Sequence, residues 1–360
     1  MTSPAKARTM VNGAERVLSG PLDEFKIIAR YFAPLATNPA ALALRDDAAV
    51  LPVPEGQELV LTCDTIIEGV HFLSGDPASS IGHKALAVNL SDLAAKGARP
   101  HAYLLSLALP EPPVAAWLEG FTEGLRKLQE QSGIDLIGGD TSATPGPVTI
   151  SITALGLVPQ GEAVLRRGAL PGDRLYASGT IGDAALGLKL LRDPRLAADW
   201  RLSEEEGDFL VERYRRPSAR VALALPLRQY AHAAIDVSDG LAGDAAKLCK
   251  ASGVSAVIEA ARVPLSSGAA KAVVHTPALL AELLAAGDDY EVLAAIGAAH
   301  SEAFAAEAER HEQGVTAMGS ITPGDGQVAV RDEGGRAFEL GRKGFAHFYT
   351  RQALRGMPKT

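Results

Sequence analysis

Six stretches of this chain set aspartates among apolar and small residues: LRDDAAVL with Asp46 and Asp47, TCDTIIEGVHF with Asp64 and His71, NLSDLAAKGA with Asp92, LIGGDTS with Asp140, AIDVSDGLAGD with Asp236, Asp239 and Asp244, and AAGDDYE with Asp288 and Asp289. Strands disfavour aspartate, and an ionised carboxylate taken out of water without a partner costs several kcal/mol. A single such residue is explained by a helix cap or a turn. Several together, each beside small residues that let backbone approach a ligand, call for a cationic partner. The fold must therefore bring loops that are distant in sequence to shared places.

The intervening segments supply strands and helices in alternation. LDEFKIIARYFAP at 22–34 has helical spacing, acids in its first turn and a closing proline. The β-like runs ELVLTCDTII (58–67) and HAYLLSLALP (101–110) flank the helical HKALAVNLSDLAAKGA (83–98); VAAWLEGFTEGLRKLQEQSG then leads to the strands IDLIGGD and VTISITALGLVP. The turn formers of PQGEAVLRRGALPGDR (159–174) mark a boundary. Beyond it RLYASG, HAAIDVSDGL, GVSAVIEAARVP and YEVLAAIG contain strands, and DAALGLKLLRD and ALLAELLAAG are helical. With 360 residues the chain exceeds what one core serves. The expectation is an α/β (α+β) protein of two domains, 22–158 and 159–350, with 1–21 and 351–360 as tails.

Net charge is −8, which argues against a nucleic-acid partner. Cys63 and Cys249 show no CxxC spacing, so neither a disulfide framework nor a zinc ribbon is expected. No apolar run approaches a membrane span, and the first residues lack the apolar stretch of a signal peptide. These features describe a cytoplasmic enzyme.

Oxygen-only, carboxylate-rich positions scattered along a chain suit Mg²⁺ better than a contiguous EF-hand loop. Mg²⁺ takes one or two carboxylates plus substrate phosphates, which points to a nucleotide and to several ions per site. GxxxxGK[ST], GxGxxG and the HRD and DFG pair are all missing. GTIGDAALG (179–187) reads first as a packing turn and second as an anion cradle; Arg166 and Arg167 are phosphate candidates or an exposed basic pair. On a helix through 85–97, Leu86, Leu90, Leu93 and Gly97 form one stripe, and Asn89, Asp92 and Lys96 form another, either a solvated face or the wall of a cleft.

Taken in order, DEFKIIARYF, RDDAAVL, DTIIEGVHF, ALAVNLSDLAAKGA, LIGGDTS, IDVSDGL, GDDYE and KGFAHF resemble the thiamine-monophosphate kinases of the aminoimidazole-ribonucleotide-synthetase-like superfamily, from about Leu22 to Phe348. The resemblance implies ATP-dependent phosphorylation of thiamine phosphate to thiamine diphosphate. It also implies an N-terminal domain whose sheet pairs with that of a second subunit in a homodimer, and a C-terminal domain closing over the nucleotide. It assigns Asp47, Thr62, Cys63, Asp64, Asp92, Asp140, Asp236 and Asp239 to Mg²⁺, with Cys63 expected to act through backbone because a thiol is a poor Mg²⁺ ligand. Gly139, Asp140, Arg166 and Ser238 would contact ATP, and His71, Asp288 and Phe345 would meet thiamine phosphate. The acceptor phosphate is already a nucleophile, so no residue is assigned as general base. The alternatives are another ATP-using superfamily member, such as an aminoimidazole ribonucleotide synthetase, or a non-catalytic nucleotide- or metal-binding module.

Overall fold

Alternation of apolar with small or polar residues builds a four-stranded sheet from β1 (Gln57–Ile67), β2 (Arg99–Leu109), β3 (Asp135–Ala143) and β4 (Thr149–Pro159), in the order β1-β4-β2-β3. The computed structural model describes residues 23–110 and 114–340. It divides into two units, one of residues up to Asn89 with Pro100–Leu157, the other of Leu90–Arg99 with Val158 onward. In β4, Ile150, Ile152 and Ala154 are buried and Ser151, Thr153 and Leu155 are partly open, as period-two burial requires. Two helices, α1 (Ala78–Ala95) and α2 (Ala115–Ser132), meet where glycine removes the side chain: a Cβ on Gly82 would lie 2.1 Å from the Phe121 carbonyl oxygen, and one on Gly124 would lie 2.0 Å from that of Ser79. Of the leucine stripe, Leu86, Leu90 and Leu93 are fully buried. Strand β2, helix α2 and strand β3 form a parallel β-α-β unit.

The segment expected as one entry helix is a continuous helical run whose hydrogen-bond pattern changes twice. Glu24–Ile27 is α-helical and capped by the Asp23 carboxylate, Ile28–Phe32 is π-helical, and Ala33–Leu35 is a 3-10 turn. Pro34 lacks the amide hydrogen that would continue the α pattern, and its ring crowds the carbonyl one turn back.

The second unit is built on a six-stranded sheet, β10-β7-β9-β5-β8-β6, of β5 (Arg174–Ser178), β6 (Ala231–Val237), β7 (Val254–Glu259), β8 (Glu291–Ile296), β9 (Val315–Pro323) and β10 (Val328–Arg331). Strand β10 runs parallel to β7, and every other neighbouring pair is antiparallel. Both faces are covered. One core gathers Leu175, Ile235, Val237, Leu293 and Met318 with Leu241, Ala245 and Leu248; the other gathers Tyr176, Ala234, Val292 and Ile296 with Leu227 and Phe304. Helices α3 (Asp183–Arg192) and α4 (Glu204–Arg215) pack with Trp200 and Leu283 in a further cluster, and α4 starts at a Ser203–Glu206 capping box. Helix α5 (Leu241–Ser252) follows β6.

Register decides where the loops go. Val237 of β6 pairs with Glu291 of β8, and Ala177 of β5 pairs with Leu293. Because β8 runs opposite to both, its beginning lies beside their ends. The loops after β5 and β6 and the loop before β8 therefore emerge at one end of the sheet. The segment ALLAELLAAG is helical only over Leu279–Leu283, because the residues after it turn to reach that end.

Candidate active site

Within the first unit, the expected residues fall on both faces and both edges of the sheet. Burial alternates along β1, so Thr62 and Asp64 face with buried Ile66, and Cys63 faces with exposed Leu61 and Thr65. The Asp64 amide donates to Asn89 Oδ1 at 3.0 Å, and Cys63 Sγ lies 3.6 Å from Ser151 Oγ. Asp140 is exposed on β3, in register with Ser106 of β2. Gly139 beside it is required by contact, since a Cβ there would sit 1.8 Å from the Leu105 carbonyl oxygen. With β4 and β2 between them, β1 and β3 are opposite edge strands, about 14 Å apart at the usual strand spacing. Asp64 and Asp140 are not brought together by this unit alone. Asp47 is exposed in the segment following a 3-10 turn, and its amide donates to Asp46 Oδ1.

His71 is half-buried and held at two points. Its Nδ1 accepts from the Ile67 amide at 3.0 Å, and its carbonyl accepts from the buried Lys84 ammonium at 2.9 Å. With Nδ1 acting as acceptor, the neutral ring carries its proton on Nε2.

In the second unit, the residues of NLSDLAAKGA and IDVSDGL do come together. Asp236 is buried, 4% exposed, and accepts from Ser91 Oγ at 3.1 Å. Lys96 Nζ donates to the Ala234 carbonyl at 2.8 Å, and the Ala234 amide donates to the Leu165 carbonyl at 2.9 Å, which holds the Arg166 segment against β6. The Lys96 ammonium is pushed down to about 8, first by burial and then by Arg166, against the opposing pull of Asp236 and Asp92. One basic pair and two carboxylates thus bear on one another. The stripe of Asn89, Asp92 and Lys96 is no solvated face: Asn89 is fully buried and the other two are half-buried.

Asp239 and Asp244 have a cation of their own. Lys247 of α5 pairs with both, at 2.7 Å to Asp244 Oδ1, and Asp244 Oδ2 accepts from the Asp239 and Gly240 amides. Part of the positive charge that the sequence demands is therefore a lysine one or two turns along the helix. Ser238 and Asp288 are linked by backbone, the Asp288 amide donating to the Ser238 carbonyl at 2.9 Å, and the Tyr290 hydroxyl donates to Asp288 Oδ1 at 3.3 Å. The GTIGDAALG turn holds a carboxylate of the chain itself: the Gly182 amide donates to Asp289 Oδ2 at 2.8 Å. Phe345 lies outside the described residues.

Among the described residues, no three His, Cys, Asp or Glu side chains gather as a metal cluster. What the second unit offers is the pair Asp92 and Asp236 with the Ser91 hydroxyl, an oxygen-only set matching the one or two carboxylates that Mg²⁺ takes when substrate phosphates complete its shell. Asp239 fits less simply, because Lys247 already occupies it. Sequence reasoning missed Ser91, Lys247 and Lys84 as partners. Only Lys247 had a signal, its helical spacing from Asp244.

Residues 45–158 match the AIR synthase related protein N-terminal domain, and residues 171–332 match the C-terminal domain of the same family. A thiamine-monophosphate kinase of Caulobacter vibrioides is 41% identical over 91% of this chain and 92% of its own length. The chain belongs to the thiamine-monophosphate kinase family. Among solved structures, the Stenotrophomonas maltophilia thiamine-monophosphate kinase is 40% identical, covers 82% of this chain and 91% of its own, and superposes with a TM-score of 0.71. A second, described as AaThiL complexed with AMPPCP and TMP, is 28% identical, covers 97% of this chain and 100% of its own, and has a TM-score of 0.70. Family membership accounts for the order of the acidic motifs, and the Asp92–Asp236 pair lies in two of them.

Proposed function

We propose that this chain phosphorylates thiamine phosphate with ATP, giving thiamine diphosphate and ADP. The observation that carries the reading is the likeness, over 97% of the chain, to a ThiL structure holding AMPPCP, an ATP analogue, together with TMP. In the reaction an oxygen of the acceptor phosphate attacks the γ-phosphorus, and the bond from that phosphorus to the β–γ bridging oxygen breaks as ADP leaves. The attacking oxygen is already anionic, so the enzyme needs to position and neutralise rather than to remove a proton.

In the second unit Asp92 and Asp236 are the residues best placed to hold Mg²⁺, with Asp239 a further candidate; in the first unit the candidates are Asp47, Thr62, Asp64 and Asp140, and Cys63 through its backbone. Bound Mg²⁺ would neutralise the charge on the phosphates. Gly139, Asp140, Arg166 and Ser238 contact ATP, with Lys96 adding positive charge in its protonated form, and His71, Asp288 and Phe345 contact thiamine phosphate. A homodimer through the first sheet is part of the same reading. Leu61 and Leu104 are 61% and 38% exposed on its strands, beside Cys63, Thr65 and Ser106, and such a surface is open to pairing. The cytosol, where ATP is available and the unpaired Cys63 and Cys249 stay reduced, is the expected compartment.

ADP release measured against thiamine phosphate, thiamine and aminoimidazole ribonucleotide precursors tests the reading; turnover confined to thiamine phosphate is expected, and preference for a precursor would overturn it. Rapid quench with γ-labelled ATP and no acceptor should leave the protein unlabelled. Sedimentation at micromolar concentration should show a dimer.

A further inference from the structure

Beneath the loops that carry Asp239 and Asp288 lies a buried ionic network that the reaction as described does not use. Asp183, Asp289 and Glu291 are each 0% exposed, and Arg213 is 6% exposed. Glu291 is gripped by Arg220, Nε to Oε2 at 2.7 Å and Nη2 to Oε1 at 2.6 Å, by Arg213 Nη2 at 2.7 Å, and by Ser178 Oγ at 2.5 Å. Asp183 accepts from Ser266 Oγ at 2.6 Å and from Thr180 Oγ1. Asp289 is the exception. It accepts from the Gly182 amide through Oδ2, while its Oδ1, like Arg213 Nη1, is buried with no hydrogen-bond partner among the described residues. An atom left in that condition costs stability, and such costs are kept where a conformation has to be held.

The conformation in question is the turn on either side of Asp289. Asp288 has φ +74° and Tyr290 has φ +52°, in the left-handed region that bulky side chains avoid. The turn lies directly on the 237–240 loop. The Asp288 amide donates to the Ser238 carbonyl and the Tyr290 amide to the Val237 carbonyl, both at 2.9 Å. Contact is so close that a Cβ on Gly287 would come within 2.2 Å of the Ser238 carbonyl oxygen, and one on Gly240 within 2.6 Å of that of Ala285. Two strained residues and two backbone bonds would relax if nothing pinned the turn from below. Asp289 pins it twice, by its carboxyl to the Gly182 amide and by its carbonyl to Arg213 Nη2 at 3.0 Å.

We propose that Asp289 is a positioning residue for the acceptor side of the reaction: its buried carboxyl, hung from the Gly182 amide, holds the 287–290 turn in its left-handed shape and so fixes where Asp288 meets thiamine phosphate. The proposal rests on the reading of Asp288 as an acceptor-side residue. A neutral group that can accept from Gly182 suffices for this role, because one carboxyl oxygen has no donor. Asn should therefore replace Asp289, and Ala should not.

The experiment compares Asp289→Ala, Asp289→Asn and Arg213→Lys in the full chain, reading KM for each substrate and hydrogen exchange at the Asp288 and Tyr290 amides. Asp289→Ala should raise the KM for thiamine phosphate about tenfold, leave that for ATP within about twofold and speed exchange at both amides. Asp289→Asn should return both readouts to within about threefold of the parent. Equal rises in both KM values, unchanged values in a folded Asp289→Ala, or an Asn variant as poor as Ala would overturn the proposal. If Asp289→Ala does not fold, Arg213→Lys decides, since losing the donor to the Asp289 carbonyl should still raise the thiamine phosphate KM selectively, and an unchanged KM would overturn the proposal. Asp288→Asn tests the underlying reading separately. If that variant binds thiamine phosphate normally, the reading of Asp288 falls, whatever the exchange rates say about the fastening of the turn.

Discussion

The acidic motifs of the two units differ in how deeply they are set. In the first, Asp47 and Asp140 stand exposed on an irregular segment and an edge strand, and Asp64 occupies the far edge of the same sheet. In the second, Asp183, Asp244, Asp289 and Glu291 are buried, and hydroxyls, amides, arginines or Lys247 hold them in place. The difference teaches that a run of aspartates in sequence has two physical fates. One leaves the carboxylate open to solvent; the other ties it to the chain's own donors and so locks the loops around it. A buried carboxylate tolerated only because its partners are fixed is a poor candidate for moving and a good candidate for holding.

The contrast is sharpest at Glu291. Glu291→Gln leaves Arg213 and Arg220 facing a neutral group in the interior, so the unfolding free energy in urea should fall by about 3 to 5 kcal/mol. A loss below about 1 kcal/mol would show that the network is not what holds this end of the sheet. Asp236→Asn should act on function instead. Turnover should fall a hundredfold or more, about 2.7 kcal/mol of transition-state stabilisation, with the melting temperature unchanged or raised, because one buried negative charge is removed. Wild-type turnover at limiting Mg²⁺ would take Asp236 out of the metal set.

A third test uses pH. Burial first of all raises the Asp289 carboxyl well above the ordinary range, with Asp183 and Glu291 adding to it and the Gly182 amide and Arg213 opposing it. An acid whose folded pKa is raised contributes stability fully below its unfolded value, near 3.9, and loses it as pH rises through the folded value. The parent should therefore lose stability relative to Asp289→Asn as pH increases from about 4 toward 8, measured by urea unfolding. Parallel pH profiles would contradict the raised value. The smallest effect belongs to the first unit: Asp140→Asn on its exposed strand should change stability by less than about 0.5 kcal/mol while reducing turnover. A larger stability change would erase the comparison.

Much of the fold was legible in the chain. Period-two burial in VTISITALGLVP and the buried leucine stripe of α1 follow from apolar spacing alone, and local spacing survives folding because it sets which side of an element avoids water. The entry segment is helical as its spacing predicts, but its hydrogen-bond ladder changes from α to π to 3-10 on the approach to Pro34. The helix expected through ALLAELLAAG stops at Leu283 because the next residues are committed to the turn before β8. In the site, the acidic motifs were visible and their partners were not. Ser91 reaches Asp236 from a helix far upstream, and nothing in either motif announces the pairing.

By itself the sequence determined the alternation of strands and helices, the recurrence of aspartates beside small residues and the membership of a kinase family, because these depend on residue type, order and local period. Tertiary structure decided that β1 and β3 are opposite edges, that β8 runs antiparallel to β5 and β6, and that the AAGDDYE turn consequently lies on the IDVSDGL loop with Gly182 beneath it. Strand order and direction depend on which surfaces bury the most apolar area once the whole chain is collapsed, and a six-residue motif carries no record of its neighbours across a sheet. For that reason Asp288 and Asp289, adjacent and chemically identical, face different tasks: Asp288 is half-buried at the turn, and Asp289 is buried beneath it.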